Sequence, residues 1–381
     1  MISKYAKEIT SFIVMDIQDK AKEMEAQGEN IIHLEIGEPD FNAAKTVKDA
    51  TITALNNDDT HYTHSLGKIS LREAIQKYYK KTYGVDIDKD QIVVTSGTSP
   101  AMVMAFAAIL DDGDEVIMPN PYYACYPNFV KMFRGTVKDI NVNEIDGFKY
   151  NLATLTKAIN PKTKAIMVNS PANPTGAVYS ADEMKAIAAL GKLIISDEIY
   201  HGLVYEGECH TMLEYTDNTI VLNGFSKLFA MTGFRMGYAI VPKELSRTFQ
   251  KIQQNFYLCA GSFAQEGAIA ALTENNEAEL ALMKKTYNQR RQYIVKRLNE
   301  MGIAPLCTPQ GAFYILANVK KYTQDSYTFA LDILENAKVA LTPGIDFGTN
   351  AQGYLRISYA NSLENIKEGL NRLDSYLKTL K

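Results

Sequence analysis

From about residue 90 to 245, short β-branched and aliphatic runs alternate with longer stretches whose apolar side chains recur at helical spacing. This alternation predicts parallel strands joined by crossover helices. Strands are predicted at residues 91–95, 115–118, 137–142, 164–168, 193–195, 219–222 and 237–241. One intervening helix carries its own signals: Ser180 and Glu183 form a capping box, Met184, Ile187 and Leu190 follow at helical spacing, and Gly191 can end it. After Gly261 the texture turns helical, breaks near 273–277, and resumes over 278–301 until Gly302. A smaller unit follows, with strands at 312–317 and 353–359 around a helix at 327–337. The last predicted helix, 363–380, has Asn361 or Ser362 as its cap and Ile366, Leu370, Leu373 and Leu377 on one face. The fold class is therefore α/β, a mostly parallel central sheet flanked by helices, with a smaller α+β domain.

The chain has 381 residues, so two compact units are expected rather than one, because single cores stop growing at about 250–300 residues. A hydrophobic fraction of 46% excludes a disordered or low-complexity protein. Lys+Arg number 40 against Asp+Glu 44, and this even balance offers no basic field for nucleic acid or an anionic membrane. The longest apolar run, at 101–110, is about half the ~20 residues a spanning helix needs, and no signal segment is evident at the N-terminus. Cys125, Cys209, Cys259 and Cys307 lie far apart, which reads as buried thiols in a reducing cytoplasm. There is no tryptophan but there are 23 tyrosines, a surplus the site itself goes some way to explain.

No HExxH, Walker A, GxGxxG or GxSxG motif is present. Instead, polar groups stand just past the ends of apolar strands, where open α/β sheets place ligands. In Thr95-Ser96-Gly97-Thr98-Ser99-Pro100, Ser99 can serve as N-cap and Pro100 as the first helical residue, leaving free N–H groups suited to a phosphate or simply a well-capped turn. Asp197 directly follows the strand core 193–195 and, if buried, requires a cation or several donors; it could also cap a helix. Lys227 sits among apolar residues that would lower its pKa and expose a nucleophilic amine, and Arg235 could return to the same pocket. Either could equally snorkel at the surface. Arg356 is held off the apolar face of its strand, either in solvent or as a bidentate carboxylate clamp.

These segments, together with IGEPDF at 36–41, SPANPTG at 170–176, SDEIY at 196–200, SKLFAMTGFRMGY at 226–238 and LRISYAN at 355–361, resemble the class I/II aminotransferases. Those are fold-type I pyridoxal phosphate enzymes, similar to aspartate aminotransferase. The resemblance implies a ping-pong transfer of an amino group between an L-amino acid and a 2-oxo acid. It makes Lys227 the residue that bonds to pyridoxal 5'-phosphate and then moves the proton of the amino-acid Cα. Asp197 would pair with the pyridine nitrogen, and Asn173 and Tyr200 would hydrogen-bond the ring oxygen. Gly97, Thr98, Ser99, Ser226 and Arg235 would hold the phosphate. Tyr123 would stack on the ring, with Tyr126 behind Asp197. Arg356, Gly37 and Asn173 would bind the substrate carboxylate. Tyr62 would reach the phosphate of the neighbouring subunit, implying a homodimer. Because Gly37 and Arg356 must meet at one substrate, the division implied is a large domain at 46–284 and a small one made of 1–45 and 285–381.

Two departures bear on this picture. Gly224 replaces a phosphate-binding hydroxyl found in several relatives. Ser99 stands where some relatives specific for acidic substrates carry lysine. The alternative on the same scaffold is a β-eliminating C–S lyase, because the cofactor residues do not fix the reaction.

Overall fold

The computed structural model describes residues 1–380; Lys381, the last residue assigned above to the small domain, lies outside the described residues. The described residues form twelve strands in chain order: β1 (Ile32–His33), β2 (Ile92–Thr95), β3 (Glu115–Asn120), β4 (Thr136–Asn141), β5 (Thr163–Asn169), β6 (Leu193–Asp197), β7 (Thr219–Gly224), β8 (Gly237–Ile240), β9 (Tyr314–Asn318), β10 (Val339–Ala340), β11 (Thr342–Pro343) and β12 (Tyr354–Ser358). Seven of them build one sheet in the order β2-β8-β7-β6-β5-β3-β4. Strands β2, β5, β6 and β7 are buried throughout except near the starts of β5 and β6, as expected where helices cover both faces.

The sheet is mostly parallel, as expected, with one strand reversed. Strand β8 runs antiparallel to both β2 and β7, pairing Thr95 with Gly237 and Gly224 with Gly237 at its start. Side-chain alternation is the same in either direction, so the residues of this strand do not reveal its reversal. The reversal has a consequence for chemistry, because it brings the beginning of β8 to the same sheet edge as the ends of β2, β6 and β7.

The helix read from its capping box is Ala181–Ala188, where the Ser180 Oγ accepts from Glu183 N and the Glu183 carboxylate returns to Ser180 N at 2.8 Å. The long charged helix is Glu277–Met301, ended by Gly302, and Ser362 caps the last helix, Leu363–Thr379, accepting from Asn365 N at 3.1 Å. The helix after β2 starts earlier than expected. Gly97 is its N-cap, so Ser99 and Pro100 lie inside the first turn of Thr98–Ile109. Proline is tolerated there because its missing N–H has no intrahelical partner to lose.

The remaining strands tie the two ends of the chain together. β1 pairs in parallel with β10, and β11-β12-β9 form an antiparallel sheet in which Arg356 lies opposite Leu316 and Thr342. One hydrophobic core joins Ile17, Ala21, Ile32 and Leu34 to Tyr287, Ile294, Ile333, Ile357, Leu370 and Leu373. Separate cores pack against the faces of the large sheet, around Phe106, Met167 and Phe249 on one side and around Ile117, Ile166 and Ile194 on the other. Among the described residues no helix is long and apolar enough to cross a membrane.

Candidate active site

A cavity of about 300 Å³ opens where the ends of the large sheet's strands face β9, β12 and the first residues of the chain. Gly37, Thr98, Ser99, Tyr123, Asn173, Asp197, Tyr200, Ser226, Lys227, Arg235 and Arg356 all line it. Residues far apart in sequence are thus gathered at one edge. Of the predicted set, Gly97 stands just behind the wall, and Tyr62 is 81% exposed outside it.

Asp197, the last residue of β6, is 5% exposed. Its Oδ2 accepts from the Tyr126 hydroxyl at 2.6 Å and its Oδ1 from the Ile199 N–H at 3.2 Å. Burial pushes the carboxyl up to about 6, while the two hydrogen bonds and the Lys227 charge pull it back. A carboxylate so placed favours a cationic partner in the cavity. The helix-cap alternative falls away, since no helix starts at Asp197.

Lys227 follows β7 by a few residues, and its Nζ donates to the Gly37 carbonyl at 2.7 Å. Burial lowers the amine to about 8; Glu38 opposes that shift, and Arg356 and Arg235 add to it. It is therefore an amine that can be neutral near physiological pH, as a carbonyl-attacking nucleophile must be.

Arg356 is 3% exposed, which excludes the solvent-facing alternative. Nη1 donates to Asn173 Oδ1 at 3.1 Å, and Nη2 donates to the Glu35 carbonyl and, at 3.1 Å, to Thr342 Oγ1. The guanidinium lies over the rings of Tyr314 and Phe347, 4.5 and 4.9 Å from their centroids. Its Nε is buried without a hydrogen-bond partner. A fixed guanidinium with an unused donor is suited to an anion such as a carboxylate.

At the other end of the cavity, Gly97 adopts φ +100° at the N-terminus of Thr98–Ile109. A Cβ there would lie 2.6 Å from Arg235 Nη2, and one on Gly237 would lie 2.6 Å from the Gly97 carbonyl carbon. The two bare positions let the reversed β8 bring Arg235 against the first turn of the helix. Free N–H groups, the positive helix end and a guanidinium meet there, a combination that fits a phosphate. With a lowered lysine amine and a buried carboxylate in the same cavity, the donor set fits pyridoxal phosphate.

Several lining residues were not singled out from sequence. Asn169, at the end of β5, accepts from Asn173 N at 2.8 Å and donates to the Asp197 carbonyl at 2.9 Å, so it sets the loop that carries Asn173. Phe12, Val14, Met15 and Gln18 bring the N-terminal segment to the cavity, with Phe12 edge-on to Tyr123 at 6.1 Å. Tyr314 looks like an ordinary core residue of β9, and only its contacts distinguish it.

These features define a vitamin B6 enzyme built on an open α/β sheet, and comparison with known proteins makes the class specific. The chain belongs to the aminotransferase class I and II family, whose model matches residues 29–373. It is 43% identical over 380 residues to a (5-formylfuran-3-yl)methyl phosphate transaminase of Methanocaldococcus jannaschii, covering 99% of this chain and 100% of that one. It is 37% identical to an aspartate aminotransferase of Pyrococcus horikoshii, covering 96% of this chain and 94% of that one. Among solved structures, a Methanococcus jannaschii protein described as similar in its active site to kynurenine aminotransferases superposes with a TM-score of 0.92 at 42% identity, covering 99% and 100% of the two chains. Thermus thermophilus aspartate aminotransferase with maleate gives 0.94 at 35% identity, covering 98% and 99%. The protein is an aminotransferase of fold type I that depends on pyridoxal phosphate and acts on an amino acid and a 2-oxo acid.

Proposed function

We propose that the cavity is the transamination site and that its residues divide the work as follows. Pyridoxal phosphate, when bound, supplies an electron sink for the charge that develops at the amino-acid Cα. Lys227 would hold the cofactor through its Nζ and, once the incoming amino acid has displaced it, its free amine would take and return the Cα proton. Asp197, held by the Tyr126 hydroxyl, would pair with the pyridine nitrogen and favour its protonated form. Asn173 and Tyr200 would donate to the ring oxygen, and Tyr123 would cover one ring face. The N–H groups and side chains of Gly97, Thr98, Ser99, Ser226 and Arg235 hold the phosphate. Arg356 grips the substrate α-carboxylate, with Gly37 and Asn173 beside it. Fixing that carboxylate orients the Cα–H bond for removal in preference to decarboxylation. The same site serves both half-reactions in turn, as a ping-pong cycle requires.

The observation that carries this reading is the meeting of Lys227, Asp197 and Arg356 in one cavity of about 300 Å³. The test is spectral and kinetic. Purified protein absorbs in the visible, individual amino acids bleach that band, and Lys227→Ala abolishes turnover. A colourless protein that ignores added pyridoxal phosphate sinks the assignment of residues.

We further infer a homodimer in which Tyr62 reaches the other subunit's phosphate. The 81% exposure of Tyr62 supports this, as do Phe256 and Leu258, apolar yet 74% and 52% exposed. The neighbouring Thr63 N–H bonds Cys259 Sγ at 3.4 Å, so the two segments form one surface. Light scattering of the holoenzyme checks it, and a monomer at working concentration rejects it. Most of the hydrophobic core that joins residues 17–34 to 287–377 lies within 1–45 and 285–381, which supports the domain division at 46–284 against 1–45 plus 285–381, while Tyr200, Leu203, Leu228 and Met283 of the large domain share that core. Four unpaired cysteines support residence in a reducing cytoplasm.

A further inference from the structure

Tyr314 stands where the substrate end and the cofactor end of the cavity meet. It is 1% exposed, lines the cavity from the start of β9, and follows Phe313, whose ring centroid is 5.9 Å from Lys227 Nζ. Its ring carries the Arg356 guanidinium at 4.5 Å, and its hydroxyl lies 2.8 Å from the Tyr200 hydroxyl. The two tyrosine rings meet edge to face, with centroids 5.6 Å apart. A Cβ at position 37 would sit 2.4 Å from the Tyr314 oxygen, so Gly37 must be bare for the hydroxyl pair to form. The Gly37 carbonyl in turn accepts from Lys227 Nζ at 2.7 Å. A tyrosine that merely filled space would need none of this convergence.

We propose that Tyr314 is a positioning residue that ties the carboxylate clamp to the cofactor's oxygen site: its ring fixes Arg356 and its hydroxyl fixes Tyr200. This rests on the roles given above to Arg356 and Tyr200. The ring face attracts the guanidinium and denies it other orientations, so the clamp is set before substrate arrives. Burial keeps both hydroxyls protonated against the pull of the Arg356 charge on each, so Tyr200 has one proton to give, and the Tyr314 oxygen can accept it in competition with the cofactor's ring oxygen. A Tyr200 hydroxyl engaged in this way has less to give to the cofactor's ring oxygen. Tyr314 therefore moderates that contact as well as aiming it.

Two substitutions separate the two contacts. Tyr314→Phe keeps the ring and loses the hydroxyl; Tyr314→Leu loses both. In the holoenzyme, the pH midpoint of the visible band should move down by about half a unit or more in both variants, because the freed Tyr200 O–H stabilises the deprotonated cofactor. The KM for the amino donor should stay within about twofold in the Phe variant and rise about tenfold in the Leu variant. Thermal midpoints of both verify that the fold is retained, the Phe variant being isosteric. Tyr200→Phe serves as the control. If it leaves the spectral midpoint in place, the role of Tyr200 fails and this proposal with it. If Tyr200→Phe moves the midpoint and Tyr314→Phe does not, or if the Phe variant's KM rises as far as the Leu variant's, the proposal alone is overturned.

Discussion

Asp197 and Glu198 are chain neighbours, both buried carboxyls, and they face opposite ways. Asp197 lines the cavity with two hydrogen bonds and room for a cation. Glu198, 0% exposed, lies behind β6, where its Oε1 accepts from Ser196 Oγ at 2.8 Å, Thr211 Oγ1 at 3.1 Å and Met212 N at 3.0 Å. Burial pushes Glu198 up to about 8, and the Asp197 charge adds to the shift. His201, 3.4 Å from Glu198, supplies no compensating charge, because burial lowers it to about 3. Glu198 is therefore a neutral acid that knots the back of the sheet to the 211–212 turn. Burial alone does not mark a catalytic carboxyl; access to a cavity that can supply the missing cation does.

The largest effect that sharpens this contrast is on rate. Asp197→Asn keeps the shape but loses the charge proposed to pair with the pyridine nitrogen, so the first half-reaction should slow by about 10²–10³-fold. Glu198→Gln replaces a neutral acid by a neutral amide and should leave that rate within about threefold. Rapid-mixing spectroscopy with one amino acid measures both. Comparable losses in the two variants would erase the distinction.

Next in size is the clamp. Arg356→Lys keeps a positive charge but gives up the planar fork that serves Asn173, Glu35 and Thr342, and a buried charge-assisted contact of this kind is worth about 1.5–3 kcal/mol. The KM for the amino donor should rise about 10- to 100-fold, with cofactor affinity little changed. An equal loss of cofactor would mean that Arg356 holds the site together rather than the substrate.

A third effect concerns pH. The role proposed for Lys227 requires a neutral amine, and burial lowers it from 10.5 to about 8. Uptake of pyridoxal phosphate by the stripped protein should therefore rise between pH 7 and 9 with a midpoint near 8. Stopped-flow absorbance follows it. A rate still climbing toward 10.5 would show that the environment of Lys227 does not tune it.

Much of this site is legible in sequence because its charged residues interrupt apolar patterns. Asp197 ends a run of isoleucines, Lys227 follows a buried strand, and Arg356 alternates against Leu355 and Ile357. Such residues need partners, and the resemblance to a family told which. Tyr314 offers no such irregularity, since an aromatic residue in Ala312-Phe313-Tyr314-Ile315 is what a core strand should contain. Its function lies in a contact with Tyr200 more than a hundred residues away in the chain. Strand direction is hidden in the same way: side-chain alternation is identical in both senses, so nothing local announced that β8 runs backwards. The early start of the helix at Thr98 turns on the φ of Gly97, which the Ser99-Pro100 pair masked.

The smallest effect returns to Glu198 and tests stability. Its folded value, about 8, lies above the ordinary 4.5. Between these values the unfolded chain has lost the proton and the folded protein keeps it, so unfolding releases a proton and stability falls as pH rises. The contribution is fully present below 4.5 and gone by pH 8. The side-chain amide of a Glu198→Gln variant cannot ionise, so that variant's stability lacks this slope. Wild-type Tm minus variant Tm should thus decline from pH 5 to 8 by about 1–3 °C per unit and be flat below 4.5. Asp197, raised to about 6, gives a slope of the same sign over a lower range, but it is present in both proteins and cancels in the difference. A difference that is flat across the whole range would mean that Glu198 is ionised in the folded protein, and the contrast between the two neighbours would then have to rest on cavity access alone.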